Sequence, residues 1–290
     1  MTNELKHKLI QTNSFIDEAF DTERTDLKLI MQLSLDGITI TVNETLKNKY
    51  IAFESFTFQN VYSFELVNEL LDELIKKSKI IKHKYKQMIC VVENNSATIV
   101  PKAIYEEDNK KLYLKFNTSL DDYDLILTDE LKSLDAKNIF SIPTAIQTKL
   151  NSLNNNIQYH HSSTILIETL LKQNKNKTGK KLFVHAQLSH FQVVVIESKN
   201  LLFYNTFNHH SAEDFIYYLL FVCEQLQLNP ENIDLTFIGE IEKKSTIYSI
   251  TQKYIRHIQF GERNDNAEYS YQLQHFSKHS YFTLFTNYLA

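Results

Sequence analysis

The sequence predicts an α/β protein built by duplication, with two lobes that each carry a mixed five-stranded sheet flanked by helices. Two observations carry this expectation. The run Lys181–Leu228 reads as strand, turn, strand, turn, strand and then a long amphipathic helix. A weaker copy of the same pattern lies in the N-terminal half, and in both copies an apolar strand follows the helix.

In the later copy, Val184–Leu188 and Phe191–Ile196 are short β-branched and aromatic runs separated by Ser189-His190. Leu201–Phe207 follows the polar turn Glu197–Asn200. Ser211 suits a helix N-cap, with Glu213 and Asp214 in the first turn, where the helix dipole favours acids. Phe215, Tyr218, Leu219, Val222 and Leu226 recur at helical spacing until Asn229-Pro230, and Ile233–Ile238 is a strand that stops at Gly239. In the earlier copy, Phe64, Val67 and Leu70 match Phe215, Tyr218 and Phe221 at a constant offset. Phe53–Phe56 matches Tyr204–Phe207 at that same offset, and Ile38–Val42 lies over Phe191–Val195. Leu27–Leu35 and Ile38–Val42 flank Asp36-Gly37, the strongest two-residue hairpin signal in the chain. Tyr50–Phe58 completes the meander, helix Ser63–Lys77 ends in lysines, and Gln87–Glu93 is the following strand.

Residues 1–26 are polar and read as a leader packed on the surface or partly mobile. Residues 27–175 would form the first lobe and 176–290 the second, with the basic loop Asn174–Lys181 leading into the latter. Within the first lobe, Thr98–Tyr105 is broken by Pro101, and Lys111–Phe116 reads as a strand. Asp121–Asp124 is an acidic loop, and Ile139–Ile142 reads as an edge strand. Pro143-Thr144 opens a helix to Leu150, and Ser162–Lys172 is another. Near the end, Ser245–Tyr254 reads as helix and His257–Phe260 as a short strand, while the aromatic tail Tyr269–Leu289 should pack back on the body.

Hydrophobic content of 43% with 23% charged residues is that of a folded chain. A net charge of −4 gives no electrostatic reason to expect nucleic acid. No apolar run approaches the roughly 18 residues of a membrane span, so direct insertion is not expected, and the first residues lack a signal-peptide core. Cys90 and Cys223 each sit in an apolar run, which reads as buried, reduced thiols in a cytoplasmic protein. The chain has only four glycines, so a glycine-rich phosphate loop has little to draw on.

Two copies of this strand and helix order are the wiring of the actin-like ATPase superfamily, of ribonuclease-H-like architecture. The phrases LSLDGITITV (Leu33–Val42), LLFYNTF (Leu201–Phe207), SAEDFIYYLLFV (Ser211–Val222) and FIGEI (Phe237–Ile241) resemble domain-of-unknown-function family 3822, found mainly in Bacteroidota. The resemblance covers nearly the whole chain from about Leu27 and implies the actin-like fold without an activity. Active members of the superfamily bind ATP between their halves. They use Asp-x-Gly-[Ser/Thr] in the first hairpin, a second such hairpin, and a Gly-Gly adenosine motif after a later strand. Tight hairpins bring backbone N–H groups to the phosphates, and the aspartate holds Mg²⁺ through water.

Those motifs are degenerate here. If Ser34 takes the metal slot, the acid is missing; if Asp36 takes it, Gly37 comes one residue early. The second hairpin, Gln187–Phe191, offers Ser189 but no glycine or acid. The adenosine position keeps one glycine, Gly239, followed by Glu240 and Glu242, whose carboxylates would repel phosphates. Ser34, Asp36, Gly37, Ser189 and Gly239 are therefore the residues of a degenerate nucleotide cleft. Asp36-Gly37 reads either as a plain hairpin turn or as a remnant phosphate contact, and Gly239 either as a strand-to-helix turn or as a vestigial purine contact.

Other chemistry finds less support. His160-His161 and His209-His210 are adjacent pairs that point apart on a strand, so surface or capping roles are expected rather than metal binding. A nuclease would need clustered strand-end carboxylates, and beyond Asp36 the second meander offers only Glu197, in a turn. Tyr217 neighbours Tyr218 and cannot share its helix face, so an exposed aromatic of the kind enriched at interfaces is expected. The expectation is a catalytically silent binding or scaffold module without cofactor or metal, whose partner is another protein or itself. The alternative is a divergent ATPase or small-molecule kinase using a shifted phosphate hairpin.

Overall fold

A computed structural model describes residues 6–21, 23–263 and 267–286. The described residues form two compact units, one within 6–165 together with 267–275 and the other within 166–263 together with 276–286.

The first unit opens with β1 (Lys8–Ile16), so the polar leader contains a strand. Strands β2 (Leu27–Leu33), β3 (Gly37–Glu44) and β4 (Lys49–Gln59) form the meander, followed by α1 (Phe64–Lys77) and β5 (Gln87–Val92). A three-stranded antiparallel sheet comes next in the chain. It contains β6 (Ala97–Pro101), β7 (Asp124–Leu131) and β8 (Ala136–Pro143), with α2 (Lys110–Lys115) between β6 and β7. Helix α3 (Thr144–Asn151), strand β9 (Ile157–His161) and helix α4 (Ser162–Asn174) follow.

The large sheet runs β1-β4-β3-β2-β5-β9. Its meander is antiparallel, whereas β5 and β9 join in parallel, as crossover connections through helices require. Alternate residues Leu29, Met31 and Leu33 of β2 and Ile38, Ile40 and Val42 of β3 meet Val67, Leu70, Leu71 and Leu74 of α1 in one core. The sheet has seven strands where five were expected. The extra two, β1 and β15 (Glu268–Tyr269), both pair with β4 and lie in segments whose polar composition gives no strand signal.

The second unit holds β10 (Lys180–Ala186), β11 (His190–Glu197), β12 (Asn200–Asn208), α5 (Ala212–Gln225), β13 (Asp234–Gly239), α6 (Thr246–Thr251) and β14 (His257–Phe260). Its mixed five-stranded sheet runs β12-β11-β10-β13-β14. Ser211 caps α5 in a reciprocal box: Asp214 N–H donates to Ser211 Oγ at 3.0 Å, and Ser211 N–H donates to the Asp214 carboxylate at 3.1 Å. Helix α6 is shorter than expected, with Ser245 as its N-cap at 3.1 Å from Tyr248 N.

Several local expectations give way to tertiary context. Lys111–Phe116 lies mostly in helix α2 rather than in a strand. Of its alternating apolar residues only Leu114 is buried, while Leu112 and Phe116 are exposed, so no sheet face rewards the alternation. Ile139–Ile142 belongs to β8, the centre of its sheet rather than an edge. The acidic run ends where β7 begins, at Asp124. The units divide within α4 rather than at residue 175, because that helix continues directly from β9, and residues after the second sheet return to the first unit. Phe282, Leu284 and Phe285 of the aromatic tail are buried in the second unit, and residues 287–290 lie outside the described chain.

Candidate functional site

The first hairpin tip is one residue earlier than its sequence indicates. Leu33 pairs with Ile38 and Ser34 N–H donates to Gly37 O at 2.9 Å, so Leu35-Asp36 form the turn and Gly37 is already in β3. Gly37 does not adopt positive φ. It is required by proximity: a Cβ there would stand 2.2 Å from the Phe56 carbonyl oxygen of β4. The tip is bonded within itself, since Asp36 N–H donates to Ser34 Oγ at 3.1 Å, and to β4, since Phe58 N–H donates to Asp36 O at 2.9 Å. The backbone donors of Ser34 and Asp36 are thus already occupied.

The second hairpin repeats this geometry. Gln187 N–H donates to His190 O at 2.9 Å, and His209 N–H donates to Ser189 O at 3.1 Å. Ser189 therefore occupies in the second unit the place of Asp36 in the first, and His190 occupies that of Gly37. Asp36, Ser34 and Gly37 share one tip, while Ser189 and Gly239 lie at one end of the second sheet, where Ala186 of β10 pairs with Gly239 of β13.

Gly239 closes β13 at φ +88°, and a Cβ there would meet Ala186 O at 2.3 Å, so only glycine fits. The chain's own C-terminal segment lies over this turn. Gly239 N–H donates to His279 O at 2.8 Å, His279 Nε2 lies 2.8 Å from Ile241 O, and Tyr281 N–H donates to Glu240 Oε1 at 2.9 Å. The His279 ring also packs on Phe260, with centroids 4.4 Å apart. Gly239 thus spends its donor on an internal bond, and Glu240, one of the two acids after it, is engaged likewise.

The first unit also contains a buried polar network around His161 at the ends of β5 and β9, where capping or surface histidines were expected. His161 is fully buried and His160 partly so. Ser163 N–H donates to His161 Nδ1 at 3.2 Å, which leaves the proton on Nε2, facing Asn94 O at 3.2 Å. Ser163 Oγ stands 2.7 Å from Nδ1 and accepts from Asn138 Nδ2 at 2.8 Å. Asp129 accepts from His161 N–H at 2.8 Å and meets His160 Nδ1 at 2.8 Å. Burial pushes the His161 pKa down to about 4, against the opposing pull of Asp129 and Glu93. A serine beside an accepting imidazole nitrogen resembles a nucleophile pair, but both groups are fully buried and no substrate atom can reach them. The network ties the small sheet to the large one. Adjacent histidines gave no signal of it, because its other members come from β7, β8 and α4.

Asp121, Asp122 and Asp124 line a concavity of about 730 Å³ with Glu65, Phe64 and Tyr123. Burial, together with Asp121 and Glu65, raises the Asp124 pKa. Among the described residues no group of three or more His, Cys, Asp or Glu is placed to hold a metal ion. No described helix is long and apolar enough to cross a membrane.

Two solved structures place this fold. A Bacteroides thetaiotaomicron protein of actin-like ATPase fold and unknown function superposes with a TM-score of 0.73 at 24% identity, over 83% of this chain and 92% of that one. The PilM-PilN type IV pilus biogenesis complex matches with a TM-score of 0.53 at 9% identity, over 85% of this chain and 91% of that one. The fold is that of the actin-like ATPases. No curated protein matches the sequence. The family described as protein of unknown function (DUF3822) matches residues 17–258, and the chain belongs to it.

Proposed function

We propose that this protein is a catalytically silent binding module that keeps the actin-like fold and has lost the nucleotide chemistry of active members. The observation that carries the reading is the Gly239 turn, whose N–H and following carboxylate are bonded to residues 279–281 of the same chain. The first hairpin supports it, because two of the N–H groups a phosphate would need are already satisfied. The partner is a protein, either another chain or a second copy, and a protein of this fold does take part in the PilM-PilN complex. Two buried, free cysteines suit work in the reducing cytoplasm.

The test is thermal denaturation with and without Mg-ATP. A ligand at roughly a hundred times its dissociation constant stabilises by about 2.7 kcal/mol, a shift of several degrees for a chain of this size. No shift across nucleotides and no Mg²⁺-dependent hydrolysis are the expected results. A saturable shift accompanied by turnover that Asp36→Ala abolishes would establish a divergent ATPase or kinase instead.

A further inference from the structure

We propose that β12, the open edge of the second sheet, pairs antiparallel with β12 of a second copy of this chain. This rests on the binding-module reading and names its surface and partner.

The internal duplication shows what such an edge requires. In the first unit the equivalent edge strand, β4, is covered by β1 from Lys8↔Gln59 to Ile16↔Ala52. Leu9 of β1, 5% exposed, joins Leu70 and Val67 of α1 in the core, and Leu70 is only 3% exposed. His7 also reaches Glu69 of α1 at 3.1 Å. In the second unit the corresponding edge ends the sheet, and no described strand covers it. Phe221, the counterpart of Leu70, is 46% exposed, and Tyr217 one turn before it is 65% exposed. The same architecture buries this position in one unit and leaves it bare in the other, and the missing component is a strand.

The edge also lacks the usual protection against pairing. Strand β12 is NLLFYNTFN, nine residues without a charge or a proline, whereas edge strands are normally short, charged or broken. The opposite edge, β14, is only four residues long. The ladder to β11 is regular from Phe203 to Asn208, after a bulge at the far end. Thr206 N–H points away from β11 and is held by the side chain of Asn205 at 2.9 Å, a local bond that an incoming strand can replace.

A second copy fits this edge on charge and symmetry. An uncharged strand meets its own image without repulsion, and antiparallel pairing of identical edges is satisfied by a two-fold axis normal to the sheet. Such an axis keeps both α5 helices on one face, so Tyr217 and Phe221 of each copy meet across the seam. One contact then covers both apolar patches.

The experiment is light scattering on the full chain from low to high micromolar concentration. The parent should show a reversible monomer–dimer equilibrium. Thr206→Pro removes a donor that β11 does not use, and proline is tolerated on an edge. It should weaken the dimer by roughly thirtyfold or more, since two pairing bonds are lost per dimer. Circular dichroism and melting of the monomer should stay as in the parent. The Tyr217→Ser/Phe221→Ser double variant, which leaves the strand intact, should weaken the dimer likewise and serves if Thr206→Pro fails to fold. A parent that stays monomeric throughout overturns the proposal, as does a folded Thr206→Pro that dimerises undiminished. So does a monomeric chain that instead binds a foreign extended peptide along β12. Response to Mg-ATP, measured on the same variants, reports separately on catalytic silence.

Discussion

Replacing Gly37 with alanine separates two accounts of that residue, as a phosphate contact or as a packing requirement between strands. The new Cβ would stand 2.2 Å from Phe56 O and 3.2 Å from Thr57 Cα, where ordinary contact begins near 3.4 Å. The obstacle is backbone in a central ladder, so it cannot rotate away. Strands β3 and β4 must part by about 1 Å, and the nearby bond from Phe58 N–H to Asp36 O weakens. Overpacking of this kind costs about 1–3 kcal/mol, a weakened hydrogen bond about 1 more, and alanine's lower chain entropy returns about 0.5–1. The net loss is about 1–3.5 kcal/mol, or roughly 2–14 °C in melting temperature for a unit of this size. Urea denaturation of the parent and Gly37→Ala chains measures it, with no nucleotide present. A variant within about 0.5 kcal/mol of the parent would refute the packing account, because relief of a backbone clash is not available at that cost.

Three further outcomes follow from particular side chains. His161 has its pKa lowered from 6.5 to about 4, so the unfolded chain binds its proton first. Its share of stability is complete above about pH 6.5 and falls by roughly 3 kcal/mol as pH drops toward 4, and His161→Gln should flatten that part of the pH–stability curve. Cys90 and Cys223 have thiol pKa values pushed up by burial to about 12 and about 11, so neither should react with a thiol reagent in the folded chain and both should react in urea. Ser211→Ala removes one half of the α5 capping box and should cost about 1 kcal/mol in urea denaturation, while Ser211→Asp should retain most of it.

The meander strands, the two long helices and the duplication were legible because each is written in local terms. Alternation in β2 and β3, 3.6-residue spacing in α5, and Ser211 with Asp214 at its start all concern neighbours within a few residues. Which residue types stand near Asp36, Ser189 and Gly239 was legible for the same reason, whereas the hydrogen bonds that hold those turns were not. The errors fall where a local pattern is weak and a distant partner decides. Lys111–Phe116 alternates but finds no sheet face, and residues 8–16 barely alternate yet become a strand because β4 offers an open edge.

By itself the sequence determined the order of the two meanders with the helix and strand that follow each, and the burial of Cys90 and Cys223. Only the tertiary structure decided why Gly37 is glycine, where the last residues settle, and that His161 is sealed in a polar network. It also decided that one edge strand is covered while, among the described residues, no further strand pairs with its internal counterpart. Each of these depends on groups far apart in the chain, joined by hydrogen bonds and excluded volume that no short window contains. Phe56 O beside Gly37, His279 O on the Gly239 N–H, and Leu9 in one core with Leu70 exist only once the chain has folded.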